Sequence, residues 1–198
     1  MFIVTVTGPI GVGKTTVLNE LRCLAASHTE FAWIFYTEPV DVWQAEGWLA
    51  DFNTEPARTA LGFQMKVLLG QDDAGRKWAE LERVSHRPLI VVTERSPVDG
   101  CKIFMPLSPT AAREQALVEA LGARLWVPHL NVLLDCSKGT AQQRRTNRNR
   151  DEPGHEYAER VHDRYLNCKP LFDCVVQNEG KPSMQAAEEV LQKIMLVV

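Results

Sequence analysis

The chain has no Cys-x-x-Cys pair, no internal repeat, no long apolar run and no excess of positive charge. Each absence removes a class of explanation. The five cysteines (Cys23, Cys101, Cys136, Cys168 and Cys174) are scattered and odd in number, so they read as reduced, mostly buried thiols of a cytoplasmic protein rather than a disulfide framework. The histidines are equally dispersed, and none stands at ligand spacing from a cysteine pair, which argues against a zinc site. No stretch reaches the roughly 18 apolar residues of a membrane-spanning helix. The opening MFIVTVTGPIG lacks the basic region and cleavage site of a secretory signal. The apolar end VLQKIMLVV is too short to span a bilayer and reads as a last helix packing on the core. A net charge of -3 does not suit a surface that coats a polyanion. The expectation is a soluble protein without nucleic-acid or membrane partners, and the charge is compatible with a small anionic ligand held in a local basic pocket.

The 198 residues fit a single domain spanning the whole chain. Apolar residues make up 45% of them, enough to fill an ordinary core. Short β-branched runs alternate with helical stretches, the pattern of a parallel sheet flanked by helices in an α/β fold. FIVTVT (2–7), WIFYT (33–37), LIVVT (89–93) and LNVLLD (130–135) are nearly continuous apolar runs suited to burial on both faces, and CVVQN (174–178) is a weaker fifth. Helices are expected from the Lys14 region, over 55–69 and 110–121, and from Ser183. Asn53-Thr54-Glu55-Pro56 and Ser108-Pro109-Thr110 each read as a helix start with a polar cap and a proline in the first turn.

GPIGVGKT (8–15) matches G-x-x-x-x-G-K-[ST] and lies where that motif must, after a strand and before a helix. Glycine flexibility lets backbone N–H groups curl around a phosphate chain, and the helix N-terminus adds partial positive charge. The expected ATP-binding set is Gly8, Pro9, Ile10, Gly11, Val12, Gly13, Lys14, Thr15 and Thr16, with Lys14 on the outer phosphates and the Thr15 hydroxyl on Mg²⁺. Such a loop is common to ATPases, GTPases, switches and kinases. The acceptor side has to decide.

TEPVDVW (37–43) follows the second strand, so Glu38 emerges at the carboxyl edge beside the loop. A carboxylate there can take the proton of an attacking hydroxyl; taken alone, Glu-Pro after a strand is more often just a turn. TERSP (93–97) ends the third strand with Glu94, able to hold Mg²⁺ directly or through water, and Arg95, able to steady Glu38 or the attacking oxygen. By itself this segment also fits a surface ion pair. The polar stretch 142–156 carries Arg144, Arg148 and Arg150, whose planar guanidinium groups suit the charge spread over a transferring phosphoryl. Its bland alternative is a solvated charged loop.

In order, GPIGVGKTT, TEPVDVW, GFQMKV, TERSPVDGCKIF and RRTNRNRDE resemble the deoxynucleoside kinase family, which includes deoxycytidine kinase, mitochondrial thymidine kinase, the insect multisubstrate enzyme and herpesvirus thymidine kinase. The specificity lies in the ordered set: Glu-Pro-Val with Trp five residues after the Glu, then Phe-Gln, then Glu-Arg-Ser with Phe nine residues after the Arg. The resemblance implies a P-loop kinase fold with a five-stranded parallel sheet, an arginine lid at about 142–156, and ATP and Mg²⁺ as phosphate donor and ion. It assigns Glu38 as general base, Arg95 as its partner at the 5′-oxygen, Glu94 and Thr15 to Mg²⁺, and Arg144, Arg148 and Arg150 to the lid. Trp43, Phe63, Gln64 and Phe104 fall on the base pocket, with Val67, Gln71 and Gly100 beside them. A homodimer is expected by resemblance. Two features depart from the family: Asn53 stands where a sugar-binding Tyr is usual, and the lid is about three residues shorter, with Glu152 matched to the carboxylate that binds the sugar 3′-hydroxyl. The short chain and trimmed lid resemble compact virus-encoded thymidine kinases.

The expected reaction is ATP-dependent phosphorylation of the 5′-hydroxyl of thymidine and deoxycytidine, a salvage step toward DNA synthesis. A thymidylate kinase is the nearest rival, but it needs extra basic groups for its acceptor phosphate. A non-catalytic nucleotide switch needs only the loop and a γ-phosphate-responsive element, and has no use for Glu38 or the aromatic-plus-Gln set.

Overall fold

The computed structural model describes residues 1–148 and 153–198. Five strands, β1 (Phe2–Thr7), β2 (Ala32–Tyr36), β3 (Leu89–Glu94), β4 (Leu130–Asp135) and β5 (Cys174–Gln177), form one all-parallel sheet in the order β2-β3-β1-β4-β5. β1, β3 and β4 are buried on both faces, as their unbroken apolar runs require. β2 departs from that expectation, being half-buried along its whole length. It is an edge strand with β3 as its one sheet neighbour. Its Trp33 and Phe35 rings stack at the margin, with the Arg22 guanidinium 5.3 Å from the Phe35 ring centre.

Helices α1 (Lys14–Ala25) and α8 (Ser183–Met195) pack against one another over one sheet face. That face buries Val4 and Val6 of β1, Ile90 and Val92 of β3, and Val132 and Leu134 of β4 under Leu18, Leu21, Ala187 and Ile194. Leu21→Ala there would cost about 2–5 kcal/mol, the usual range for emptying a packed leucine site. The alternate residues face the opposite side. Ile3 and Val91 meet Trp78 of α4 (Pro56–Val84), whereas Leu133 meets Val161 and Tyr165 of α7 (His155–Asn167).

Between these lie α2 (Val40–Ala45), α3 (Trp48–Thr54), α5 (Ala112–Gly122) and α6 (Lys138–Thr146). α4 runs 29 residues, well past the expected end at 69. Its three glycines, Gly62, Gly70 and Gly75, do not stop it: Gly75 lies under Trp126, where a Cβ would come within 2.6 Å of Cδ1, and Trp126 Nε1 donates to the Gln71 carbonyl at 2.9 Å. The ion pairs Asp72–Arg76 and Asp73–Lys77 brace its exposed face at i, i+4. Pro56 does open the helix, but the expected polar cap is not made. Asn53 and Thr54 belong to α3, where the Thr54 hydroxyl donates back to Ala50 O at 2.9 Å. α5 likewise starts later than expected, with the Glu114 carboxylate accepting the Ala111 N–H at 2.9 Å. No helix among the described residues is long and apolar enough to cross a membrane.

Candidate active site

Parallel pairing sets Val6 opposite Glu94, so β1 and β3 end side by side and their following turns meet at the carboxyl edge. β1 feeds the 8–15 loop, and α1 begins at Lys14 behind Gly13, which has φ 100. Gly11 shows why glycine is required: its φ is 91, and a Cβ would stand 2.3 Å from the Ala141 carbonyl oxygen of α6. Lys14 is buried at 6% exposure and donates from Nζ to Gly8 O and Pro9 O, both at 3.2 Å, with Glu94 Oε1 3.8 Å away. Burial, with Arg95 adding repulsion, lowers its pKa from 10.5 to about 7. Thr15 is exposed on the cavity side, and Thr16 is exposed beside it.

Glu38 follows β2, and its Oε2 accepts from Arg95 NH1 in an ion pair whose side chains are only 8% and 11% exposed. The ion pair is thus buried rather than at the surface, while the turn after β2 does form, with Val40 N–H donating to Glu38 O at 2.8 Å. Arg95 has φ 62, a left-handed conformation unusual for a residue with a Cβ. Its guanidinium lies 4.8 Å from the Phe104 ring centre.

Both groups open into one cavity of about 480 Å³. It is lined by Ile10, Gly11, Lys14 and Thr15 of the 8–15 loop and α1, by Glu38, Glu94, Arg95 and Asp99 at and after the ends of β2 and β3, and by Trp43, Phe63, Gln64, Val67, Gln71, Gly100 and Phe104. Asn53, Arg148 and Tyr157 also line it. Phe63 organises the aromatic wall: Trp43 meets it edge-on at 5.3 Å, Trp48 stacks at 6.3 Å and Phe52 tilts against it at 5.6 Å. Gln64 is 4% exposed and turns its amide toward Gly100, where a Cβ would stand 3.2 Å from Gln64 Oε1. Gly100 therefore leaves room for that amide.

Arg144 is drawn out of the cavity. Its NH1 donates to Val12 O at 2.7 Å and its NH2 to Asn178 O at 2.8 Å, so it braces the loop from behind. Arg150 and Glu152 lie outside the described residues. Several participants receive no role from the sequence reading, although Arg145 lies within RRTNRNRDE and Asp99 within TERSPVDGCKIF. Arg145, 8% exposed, donates to Ile10 O at 3.2 Å, and Asn178 Nδ2 donates to Val12 O at 2.7 Å. Asp99 and Tyr165 are buried beneath the loop's entrance. The adjacency of Arg145 to Arg144 is the one sequence signal that could have pointed to the first of these.

The deoxynucleoside kinase family profile matches residues 4–195, beyond the stretch 1–157 covered by the motifs. No curated protein matches the chain. A solved deoxyadenosine kinase from M. mycoides, with product dCMP and a flexible dCDP bound, superposes with a TM-score of 0.76 at 16% identity, covering 99% of this chain and 100% of that one. That likeness shows a shared P-loop kinase fold, and the profile match over nearly the whole chain shows that the protein belongs to the deoxynucleoside kinase family.

Proposed function

We propose that the protein transfers the γ-phosphoryl of ATP to the 5′-hydroxyl of thymidine and deoxycytidine. The observation that carries this reading is the buried Glu38–Arg95 pair opening into the same cavity as Lys14 and Thr15. A nucleoside hydroxyl is a poor nucleophile until a base takes its proton, and Glu38 stands at the seam between the phosphate loop and the aromatic pocket. Arg95 occupies Glu38 Oε2, which orients the carboxylate, so Oε1 is the oxygen for the proton. Lys14 and the loop N–H groups hold the β- and γ-phosphates, while Arg148 meets charge developing on the transferred group. Thr15 and Glu94 offer hard oxygen donors at the phosphate end, the chemistry Mg²⁺ prefers; bound there, the ion would neutralise charge on the phosphate oxygens.

Base preference follows from Gln64 within the Trp43, Phe63 and Phe104 walls. In one orientation its amide accepts from thymine N3–H and donates to O4; flipped, it donates to cytosine N3 and accepts from the N4 amine. Gly100 adds no side chain beside the base 5-position, which leaves space for the thymine methyl. Asn53, with Glu152 outside the described residues, stands for the sugar 3′-hydroxyl contact. A panel of the four deoxynucleosides at fixed ATP is expected to rank thymidine first by kcat/KM, deoxycytidine second and the purines lower. A purine preferred over both pyrimidines would sink this reading of the pocket.

A further inference from the structure

Asp99 lines the floor of the cavity at 2% exposure, and the reaction above makes no use of it. Its carboxylate is fully engaged. Oδ1 accepts from the Thr7 hydroxyl and from Tyr165 OH at 2.7 Å, and Oδ2 accepts from the Ser96 N–H at 2.7 Å and the Ser96 hydroxyl at 3.0 Å. Four donors fill the acceptor capacity of two carboxylate oxygens. No lone pair is left over for a metal or a substrate proton, so the group acts by holding its neighbours.

Those neighbours are three separate segments. Thr7 ends β1 and directly precedes Gly8 of the phosphate loop; Ser96 directly follows Arg95; Tyr165 is the fully buried ring of α7 and lies 3.1 Å from the Thr7 hydroxyl, closing a triangle. Part of this is ordinary helix capping. Ser96-Pro97-Val98-Asp99 has the Ser-x-x-acid form, in which the acid reaches back to the first N–H. Capping alone, however, needs neither Thr7 nor Tyr165. The residue before Ser96 is also Arg95 at φ 62, a conformation that a Cβ-bearing residue keeps only when its surroundings hold it. Arg95 N–H donates to Val6 O at 3.3 Å on one side, and Asp99 holds the next N–H on the other. The guanidinium that results is the one paired with Glu38 and laid over Phe104.

We infer that Asp99 is a positioning residue for phosphoryl transfer: it locks Arg95 in its left-handed turn and keys that turn to the start of the phosphate loop, fixing the Glu38–Arg95 pair relative to the terminal phosphate of ATP. This rests on the kinase reading above. Asp99→Asn can keep the same neighbours, its oxygen accepting from Ser96 and its NH₂ donating to the Thr7 and Tyr165 oxygens, but it loses the strength of bonds to a charged acceptor. Asp99→Ala loses them all.

The test is a double-mutant cycle with Arg95→Ala, reading kcat and both KM values for wild type, D99N, D99A, R95A and the two doubles. With Arg95 present, kcat should fall about 3-fold for D99N and about 10-fold or more for D99A, with KM for ATP moving less; with Arg95 removed, neither change should lower kcat beyond about 2-fold, because coupled residues do not add. A protein that needed Asp99 only for stability would lose the same factor in both backgrounds. Should D99A fail to fold, D99N decides alone. Equal losses in the two backgrounds, or no loss with Arg95 present, would overturn the role of Asp99 while an active wild type kept the kinase reading. An inert wild type would overturn both.

Discussion

Glu38 and Arg95 reach one another from the ends of different strands, and their pairing removes both from most solvent contact. Truncating one partner would leave the other charge buried and unpaired, so the base role of Glu38 itself is best tested by a substitution that keeps its shape. Glu38→Gln preserves size and hydrogen bonding but removes the basic oxygen. Turnover is expected to fall about 100-fold or more, the scale of general-base loss, with far less change in nucleoside binding. Near-normal turnover in the purified variant would remove Glu38 from the mechanism. Lys14 offers a second test. Burial holds its pKa near 7 in the ligand-free protein, whereas phosphate oxygens favour the charged ammonium. ATP binding near pH 8 should therefore draw in about one proton, measured by calorimetry in buffers of different ionisation enthalpy, with the uptake shrinking toward pH 6 and absent in Lys14→Met. The same depression has a stability consequence. The unfolded chain binds the additional proton between about 7 and 10.5, so the ligand-free fold gains stability as pH rises through that window and loses it as pH falls back through 7.

At the scale of elements, α6 braces the phosphate loop. Its consecutive arginines Arg144 and Arg145 donate to the Val12 and Ile10 carbonyls, which helps turn the loop's N–H groups toward a phosphate. Arg148, just beyond the helix, reaches the cavity. Arg148→Ala should lower kcat more than it raises KM for ATP, as expected of a contact strengthened in the transition state. Unchanged kcat with a higher KM would make Arg148 a ground-state clamp. What the sequence disclosed here follows the range of the interactions. β1 and β4 were legible to the residue because two-sided burial writes itself as a continuous apolar run. The phosphate loop was legible because its glycines and Lys14 are local requirements. The half-burial of β2 was not, since edge position depends on strand order. Nor was Asp99, whose four hydrogen bonds draw on β1, α7 and its own turn. α7 was overlooked although Ala158, Val161, His162 and Tyr165 mark its buried face at helical spacing.

For the whole molecule, the sheet brings a phosphate loop, a buried acid–guanidinium pair and an aromatic pocket into one cavity. Among the described residues, the cation beside Glu38 is Arg95, which is committed to that carboxylate, and Glu38 itself would face the dianion of an acceptor phosphate. The direct test is ADP formation by the purified protein with ATP and Mg²⁺, comparing thymidine, thymidine 5′-monophosphate and no acceptor. The account predicts rapid ADP formation with thymidine, accompanied by its 5′-monophosphate as product, and only background with no acceptor. Turnover with the monophosphate and none with thymidine would contradict it.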